Sequence, residues 1–175
     1  MFFFYAAIIK RFFCRDVLVV APQILGQHLV RRYPSGLIEK YIVTEVEAYK
    51  GGEDLACHAS KGRTARTEIM FSEGGYAYVY LVYGMHWMLN VVTGSENQPQ
   101  AVLIRGVKGC NGPGRLTRML EVDRSFYGED YTESTRIWFE PTEFTPSINK
   151  GPRIGVDYAG NYWASIPWRF WIDLD

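Results

Sequence analysis

The segment Val43-Thr44-Glu45-Val46-Glu47-Ala48-Tyr49 concentrates more potential chemistry than any other stretch of the 175-residue chain. As a strand, it alternates Val43, Glu45, Glu47 and Tyr49 on one face with Thr44, Val46 and Ala48 on the other. Two carboxylates and a phenol among apolar neighbours have two readings. One is a solvent-facing strand edged with surface glutamates. The other is a carboxylate that activates water beside a ring that holds a flat substrate. Spacing alone leaves both open.

Other sources of chemistry are sparse. His28, His58 and His86 form no H-E-x-x-H pair and no His/Cys pairing at ligand spacing, so no metal site is expected. Cys14, Cys57 and Cys110 are odd in number and widely spaced, which fits a reducing compartment and no disulfide framework. Gly112-Pro113-Gly114-Arg115-Leu116-Thr117 lacks the Lys-Ser/Thr ending of a phosphate-binding P-loop and reads as a turn opening a helix. No G-x-S-x-G nucleophile elbow is present.

The elements around these residues are mostly strands. Residues 16–30 fit a helix that includes Pro22, followed by a strand beginning near Gln27. Tyr33-Pro34-Ser35-Gly36 is a turn signal, and residues 37–49 read as a strand that ends at Gly51-Gly52. Tyr76, Tyr78, Tyr80 and Val82 recur at period two and the pattern resumes over residues 87–93, which predicts a hairpin with its tip near Tyr83-Gly84-Met85-His86. Residues 101–107 and 167–172 read as further strands, and residues 115–120 as a short helix. Many strands, few helices and hairpin connections predict an α+β domain on an antiparallel sheet.

Composition narrows the function classes. With 47% hydrophobic and 22% charged residues the chain can bury a core, and its length suits one domain over residues 1–175. Nineteen basic residues balance nineteen acidic ones, so any grip on an anionic partner must be local. Two basic groups offer it: Lys61, Arg63 and Arg66, and then Arg105, Lys108, Arg115 and Arg118. Residues 1–9 are apolar but too short to span a bilayer, and their positive charges follow the apolar run. A buried strand or short helix is expected there, in a soluble, cytoplasmic protein.

The ordered blocks carry a resemblance. After Val43 to Tyr49 come Gly51, Asp54, Ala56, His58, Ala59, Gly62, Arg66-Thr67 and Met70-Phe71. Tyr78-Val79-Tyr80-Leu81-Val82-Tyr83-Gly84-Met85-His86, Asn90-Val91-Val92, Ala101-Val102-Leu103-Ile104-Arg105 and Gly112-Pro113-Gly114-Arg115-Leu116-Thr117 follow. Pro152-Arg153-Ile154-Gly155 and Pro167-Trp168-Arg169-Phe170 close the series. From about Phe12 to the end the chain resembles the alkyladenine (3-methyladenine) DNA glycosylase family.

The resemblance implies a mixed α+β fold on a curved, mostly antiparallel, partly open barrel-like sheet, with surrounding helices and a protruding hairpin that enters the minor groove. It implies hydrolysis of the N-glycosylic bond of alkylated and deaminated purines in double-stranded DNA, by a monomer with no cofactor. Glu47 resembles the general base, and Arg105 the residue that helps hold the attacking water. Tyr49 and His58 resemble the pair that sandwiches the extruded base, with Tyr80 a further wall. Asn90 resembles the residue that bars undamaged guanine. Tyr83 resembles the side chain that fills the vacated stack, and Met85, Arg66 and Arg115 are expected to touch DNA nearby.

The physics is consistent with that implication. A stacked base hides its glycosylic carbon and must be flipped out, at a cost of a few kcal/mol, which a wedge at a hairpin tip partly offsets. No lysine stands beside Glu47, so hydrolysis without strand cleavage is expected. One departure stands out. Only Gly106 to Asn111 separate Arg105 from the Gly-Pro-Gly turn where relatives commonly carry a longer charged loop, so DNA contacts from that loop are expected to be missing. Two competing readings remain: a carbohydrate glycosidase using Glu45 and Glu47 as acid and base, and a catalytically silent nucleic-acid-binding module.

Overall fold

A computed structural model describes residues 7–174. A single-turn helix, α1 (Lys10–Phe13), precedes α2 (Val17–Ile24), which starts where the Asp16 carboxylate accepts from the Leu18 N–H at 2.9 Å. Pro22 lies inside α2, as expected, and Val17, Val20, Ala21 and Ile24 form its buried face. The apolar run over residues 1–9 falls mostly outside the described residues. Ile8 is buried, and its N–H donates to the Phe139 carbonyl at 2.8 Å.

The sheet is nine-stranded and not closed into a barrel. Its strands are β1 (His28–Arg32), β2 (Ile38–Lys50), β3 (Ala77–Val82), β4 (His86–Thr93), β5 (Gln100–Val107), β6 (Cys110–Asn111), β7 (Ile137–Glu140), β8 (Asn149–Gly151) and β9 (Arg169–Trp171). The main order is β3-β4-β5-β2-β1-β7, with β6 folded back on β5 and β9 lying between β2 and β8. Every pairing between these strands is antiparallel. The helices α3 (Pro113–Met119) and α4 (Asn161–Ser165) complete the α+β arrangement.

The strand that carries Glu45 and Glu47 is the hub. Its first half pairs with β1, and its second half runs between β5 and β9, so Glu47 faces Leu103 on one side and Arg169 on the other. Paired on both edges, this backbone has little freedom to move. The sheet then separates two environments. Val43, Val46 and Ala48 join Val91, Val102, Ile104 and the α2 side chains in the main core. A second cluster of Cys57, Ala59, Met70, Tyr78, Val92 and Ala101 lies beside Tyr49 and Tyr80.

That partition corrects the expected face of β2. Simple alternation puts Val43 with Glu45, Glu47 and Tyr49, yet Val43 is buried with Val46 and Ala48. The register against β5 shifts on both sides of Glu45: Val43 pairs with Val107, Glu45 with Gly106 and Val46 with Ile104. Such an irregularity interrupts the two-residue period and re-aims the side chains that follow it. From Glu45 onward the alternation holds.

Several short elements were not foreseen. Strands β7 and β8 and helix α4 are three to five residues long, too short for a periodic pattern to show. The hairpin of β3 and β4 falls where the alternating tyrosines place it, with Tyr78 opposite Asn90 and Tyr80 opposite Met88.

Candidate functional site

A cavity of about 470 Å³ opens on the face of the sheet away from the main core. Glu47 and Tyr49 of β2 line it, with His58 from a 3₁₀ turn, Tyr78 and Tyr80 of β3, Asn90 of β4 and Arg105 of β5. Ile154 and Tyr158 come from the segment before α4, and Tyr83 stands at its rim. Eight of the ten anticipated site residues therefore share one cavity. Met85 and Arg115 do not line it: Met85 projects from the hairpin tip, and Arg115 is an exposed residue of α3.

Glu47 is the cavity's single carboxylate among the described residues, and it is fully buried. Its Oε1 accepts from the Ile154 N–H at 2.7 Å and its Oε2 from the Tyr49 hydroxyl at 2.7 Å. Arg105 Nη1 lies 3.5 Å from Oε1. Burial pushes the Glu47 carboxyl above the usual glutamate range, and Arg105, the Ile154 N–H and the Tyr49 hydroxyl pull it only part of the way back. Such a group has a stronger appetite for a proton than a solvated glutamate, as a general base requires.

Glu45 sits differently. It lies outside the cavity lining, and its Oε1 accepts from Arg105 Nε at 3.2 Å and from Arg169 Nη1 at 3.0 Å. The acid–base pair of a carbohydrate glycosidase needs two carboxylates facing one substrate bond, and the cavity offers one.

The rings form a slot. His58 and Tyr80 meet edge to face with centroids 4.7 Å apart, and Tyr80 tilts against Tyr78 at 5.0 Å. These three build one continuous wall, while Tyr49 stands on β2 with Arg153 stacked over its ring at 4.8 Å. His58 Nδ1 lies 2.9 Å from the Tyr78 hydroxyl. Burial first, then Arg66 and Lys61, lower the His58 pKa to about 4, so the ring is neutral at neutral pH. A neutral ring stacks without bringing a second positive charge beside Arg66, whose guanidinium covers Tyr80 at 4.9 Å.

Asn90 is buried at the back of the cavity, and its Nδ2 donates to the Tyr78 carbonyl at 2.9 Å. The bond spends the amide nitrogen on the hairpin and fixes the side-chain plane. At the mouth the turn is sharp: Met85 N–H donates to the Val82 carbonyl at 3.1 Å, and both central residues take positive φ, Tyr83 at 52° and Gly84 at 68°. A tyrosine gains nothing locally from a left-handed backbone. Here it holds a ring that is 91% exposed at the most projecting point of the hairpin. Gly114 lets α3 approach the tip end of the hairpin closely, since a Cβ there would meet the His86 ring at 3.1 Å.

One feature had no expectation attached to it. Arg153 and Asp54 form a buried bidentate ion pair at 2.6 and 2.8 Å. Asp54 also accepts from the Lys50 and Ala56 N–H groups, and Arg153 donates to the Ala48 carbonyl. This clamp ties β2, the loop leading to His58 and the segment bearing Ile154 into one unit. Both residues lie in blocks that carry the family resemblance, but nothing local in the sequence marks them as partners. The basic groups also need revision. Arg105 is half-buried between two glutamates, and Arg63 pairs with Glu68 at 2.8 Å, so neither is free for a phosphate. Lys61, Arg66, Lys108, Arg115 and Arg118 remain exposed.

Among the described residues, no group of three or more His, Cys, Asp or Glu side chains could hold a metal ion. No helix among them is long and apolar enough to cross a membrane.

A family model described as methylpurine-DNA glycosylase matches residues 11–109 and 107–175. A protein of Methanocella arvoryzae is 42% identical over 182 residues, covering 93% of this chain and 90% of its own. One from Legionella pneumophila strain Lens is 44% identical over 174 residues, covering 93% and 92%, and one from Psychrobacter cryohalolentis is 38% identical over 190, covering 92% and 90%. Each of the three bears the provisional name 3-methyladenine DNA glycosylase. With the family pattern matched along most of its length, and relatives of about this similarity on record, the chain belongs to the methylpurine-DNA glycosylase family.

Proposed function

We propose that this protein excises damaged purines of the 3-methyladenine, hypoxanthine and ethenoadenine type from double-stranded DNA. It hydrolyses the N-glycosylic bond and leaves an abasic site. The observation that carries the reading is the fully buried Glu47 carboxylate in a ring-walled cavity whose mouth bears the exposed Tyr83.

In this reading the hairpin presses into the minor groove, and Tyr83 takes the place of the departed base, with Met85 beside it. The extruded purine enters between Tyr49 and the wall of His58 and Tyr80, where stacking accepts bases of varied edge chemistry. Asn90 stands against the edge on which guanine carries its extra amine. Water held by Glu47 and Arg105 loses its proton to Glu47 as it attacks the sugar carbon, and the carboxylate also steadies positive charge developing on the sugar. An N-alkylated purine already bears positive charge and leaves readily. Arg66 and Arg115 meet phosphates, a role their exposure supports. No lysine lines the cavity among the described residues, which favours water over an amine as nucleophile. The protein acts as a single-domain monomer, in whichever compartment holds the genome; in a bacterial-type cell, that is the cytoplasm.

The test is direct. A duplex carrying one hypoxanthine is incubated with the protein and then heated in alkali. Cleavage at the lesion only after alkali supports monofunctional excision. An intact strand, with ethenoadenine and 3-methyladenine duplexes also untouched, would leave a binding module as the better reading.

A further inference from the structure

Glu45 holds two arginines with one carboxylate oxygen. Arg105 presents Nε to Glu45 and Nη1 to Glu47, so a single guanidinium spans the two acids. Arg169 supports the arrangement from β9: its Nη1 shares the same Glu45 oxygen, its Nε donates to the Pro152 carbonyl at 3.0 Å, and its guanidinium lies over the Trp171 ring at 4.3 Å. The guanidinium is planar and rigid, so fixing Nε fixes the direction in which Nη1 points.

The consequence lies at Glu47. Its Oε1 and Oε2 already accept from the Ile154 N–H and the Tyr49 hydroxyl. An unrestrained Arg105 would be drawn onto the same carboxylate as a closer, two-pronged ion pair, the strongest geometry available to these groups. A carboxylate clamped that way has less tendency to take a proton from water. The 3.5 Å separation between Arg105 Nη1 and Glu47 Oε1 leaves it short of that clamp.

We infer that Glu45 is a positioning residue: by holding Nε of Arg105 it keeps the guanidinium at the edge of Glu47 rather than upon it, which preserves Glu47 as a base. The inference deepens the proposed function and rests on it for its catalytic meaning. The groups that face Glu47 are Arg105 from β5, Arg153 and Tyr158 from the segment between β8 and α4, Tyr49 from β2 itself and Tyr80 from β3. Of the two arginines in that set, only Arg105 is shared with Glu45; Arg153 is tied instead to Asp54.

The variants are Glu45→Gln, which keeps size and one acceptor, and Glu45→Ala, which removes both acceptors. The first readout needs no turnover. Protein labelled with ¹³C at glutamate carboxyls is titrated by NMR, and the Glu47 resonance is assigned by its absence from Glu47→Gln. The second is the single-turnover rate of hypoxanthine excision across pH, and the third a melting curve. Release of Arg105 onto Glu47 should lower the Glu47 midpoint by roughly half a unit or more. The acidic limb of the rate profile should move down with it, and excision at neutral pH should fall about threefold, with melting little changed. A Glu47 midpoint and an acidic limb that stay put in both variants would overturn the inference, and any loss of melting temperature would then mark Glu45 as a fold residue. If the wild-type protein excises nothing, the proposed function fails, while the NMR midpoint still decides whether Glu45 governs Arg105.

Discussion

The N–H of Ile154 donates to Oε1 of Glu47 at 2.7 Å across 107 residues of chain. Together with the Tyr49 hydroxyl on Oε2, it fixes both oxygens of a fully buried carboxylate. Tyr49→Phe keeps the ring and removes one of these donors. A hydrogen bond to the charged form favours that form, so its loss should raise the Glu47 proton affinity and move the acidic limb of the rate profile to higher pH. On the acidic side of that midpoint excision should slow by roughly fivefold, the worth of one such bond, with lesion binding nearly unchanged. An equal loss of binding would make the hydroxyl a substrate contact instead.

Glu47→Gln should separate stability from activity. The charge is buried at a cost, as its raised pKa shows. A glutamine can still accept from Ile154, and the Tyr49 hydroxyl can rotate to accept from the new amide. The variant should melt higher, by an amount in the range of about 0.5–2 kcal/mol seen for relief of active-site strain. It should bind lesion DNA and excise nothing. A lower melting temperature would show that the carboxylate is part of the fold's support.

Tyr83 invites the opposite substitution. Tyr83→Gly suits the positive φ at this position and relieves a backbone cost of about 1 kcal/mol. The variant should be at least as stable as wild type, yet lose binding and excision on duplex DNA. A lesion in single-stranded DNA should be affected less, because no stack must be filled there. Equal losses on both substrates would assign the ring to the pocket.

Asn90 has two roles to disentangle. Its bond to the Tyr78 carbonyl supports the hairpin, and its place at the back of the cavity suits the proposed role against the purine edge. Asn90→Ser should lower stability by about 1 kcal/mol through the lost bond and also raise removal of guanine or N-alkylguanine relative to hypoxanthine. The ratio of the two rates, read beside a melting curve, separates these effects. Destabilisation with an unchanged ratio would leave only the structural role.

His58 should set an acid limit on stability. Its folded pKa of about 4 lies below the ordinary histidine value, so the folded state refuses a proton that the unfolded state accepts. That contribution is intact above pH 6.5 and is lost as pH falls towards 4. Urea midpoints at pH 7 and pH 4.5 should differ more for the wild type than for His58→Phe. A parallel drop in both would place the acid sensitivity elsewhere.

Much of this architecture was legible in the residues. The period-two tyrosines of residues 76–82 located the hairpin and its tip, and Glu45, Glu47 and Tyr49 stood out as polar groups sharing one face of a strand among apolar neighbours. What was hidden shares a physical character. The Ile154 donor is a backbone N–H, which every non-proline residue has, so no residue type announces it. The Asp54–Arg153 clamp joins residues 99 apart in sequence, and their pairing exists only once the chain has folded. The register shift at Glu45 depends on the partner strand, so alternation along β2 alone put Val43 on the wrong face.

The wiring of β2 also bears on how the molecule comes to be. Glu45, Glu47 and Ala48 take partners from Arg153 to Arg169, and the β9 strand that borders them lies near the end of the described chain. During synthesis, which proceeds at about 5–20 residues per second, those acids emerge seconds before the C-terminal partners that complete their shell. Until then Glu47 lacks the Ile154 N–H and Glu45 lacks Arg169. Closing loops of this length comes late and slowly in folding. The nascent protein thus has its ring-bearing hairpin well before its base is armed, and hydrolytic competence should appear as the last cooperative step of folding rather than grow with it.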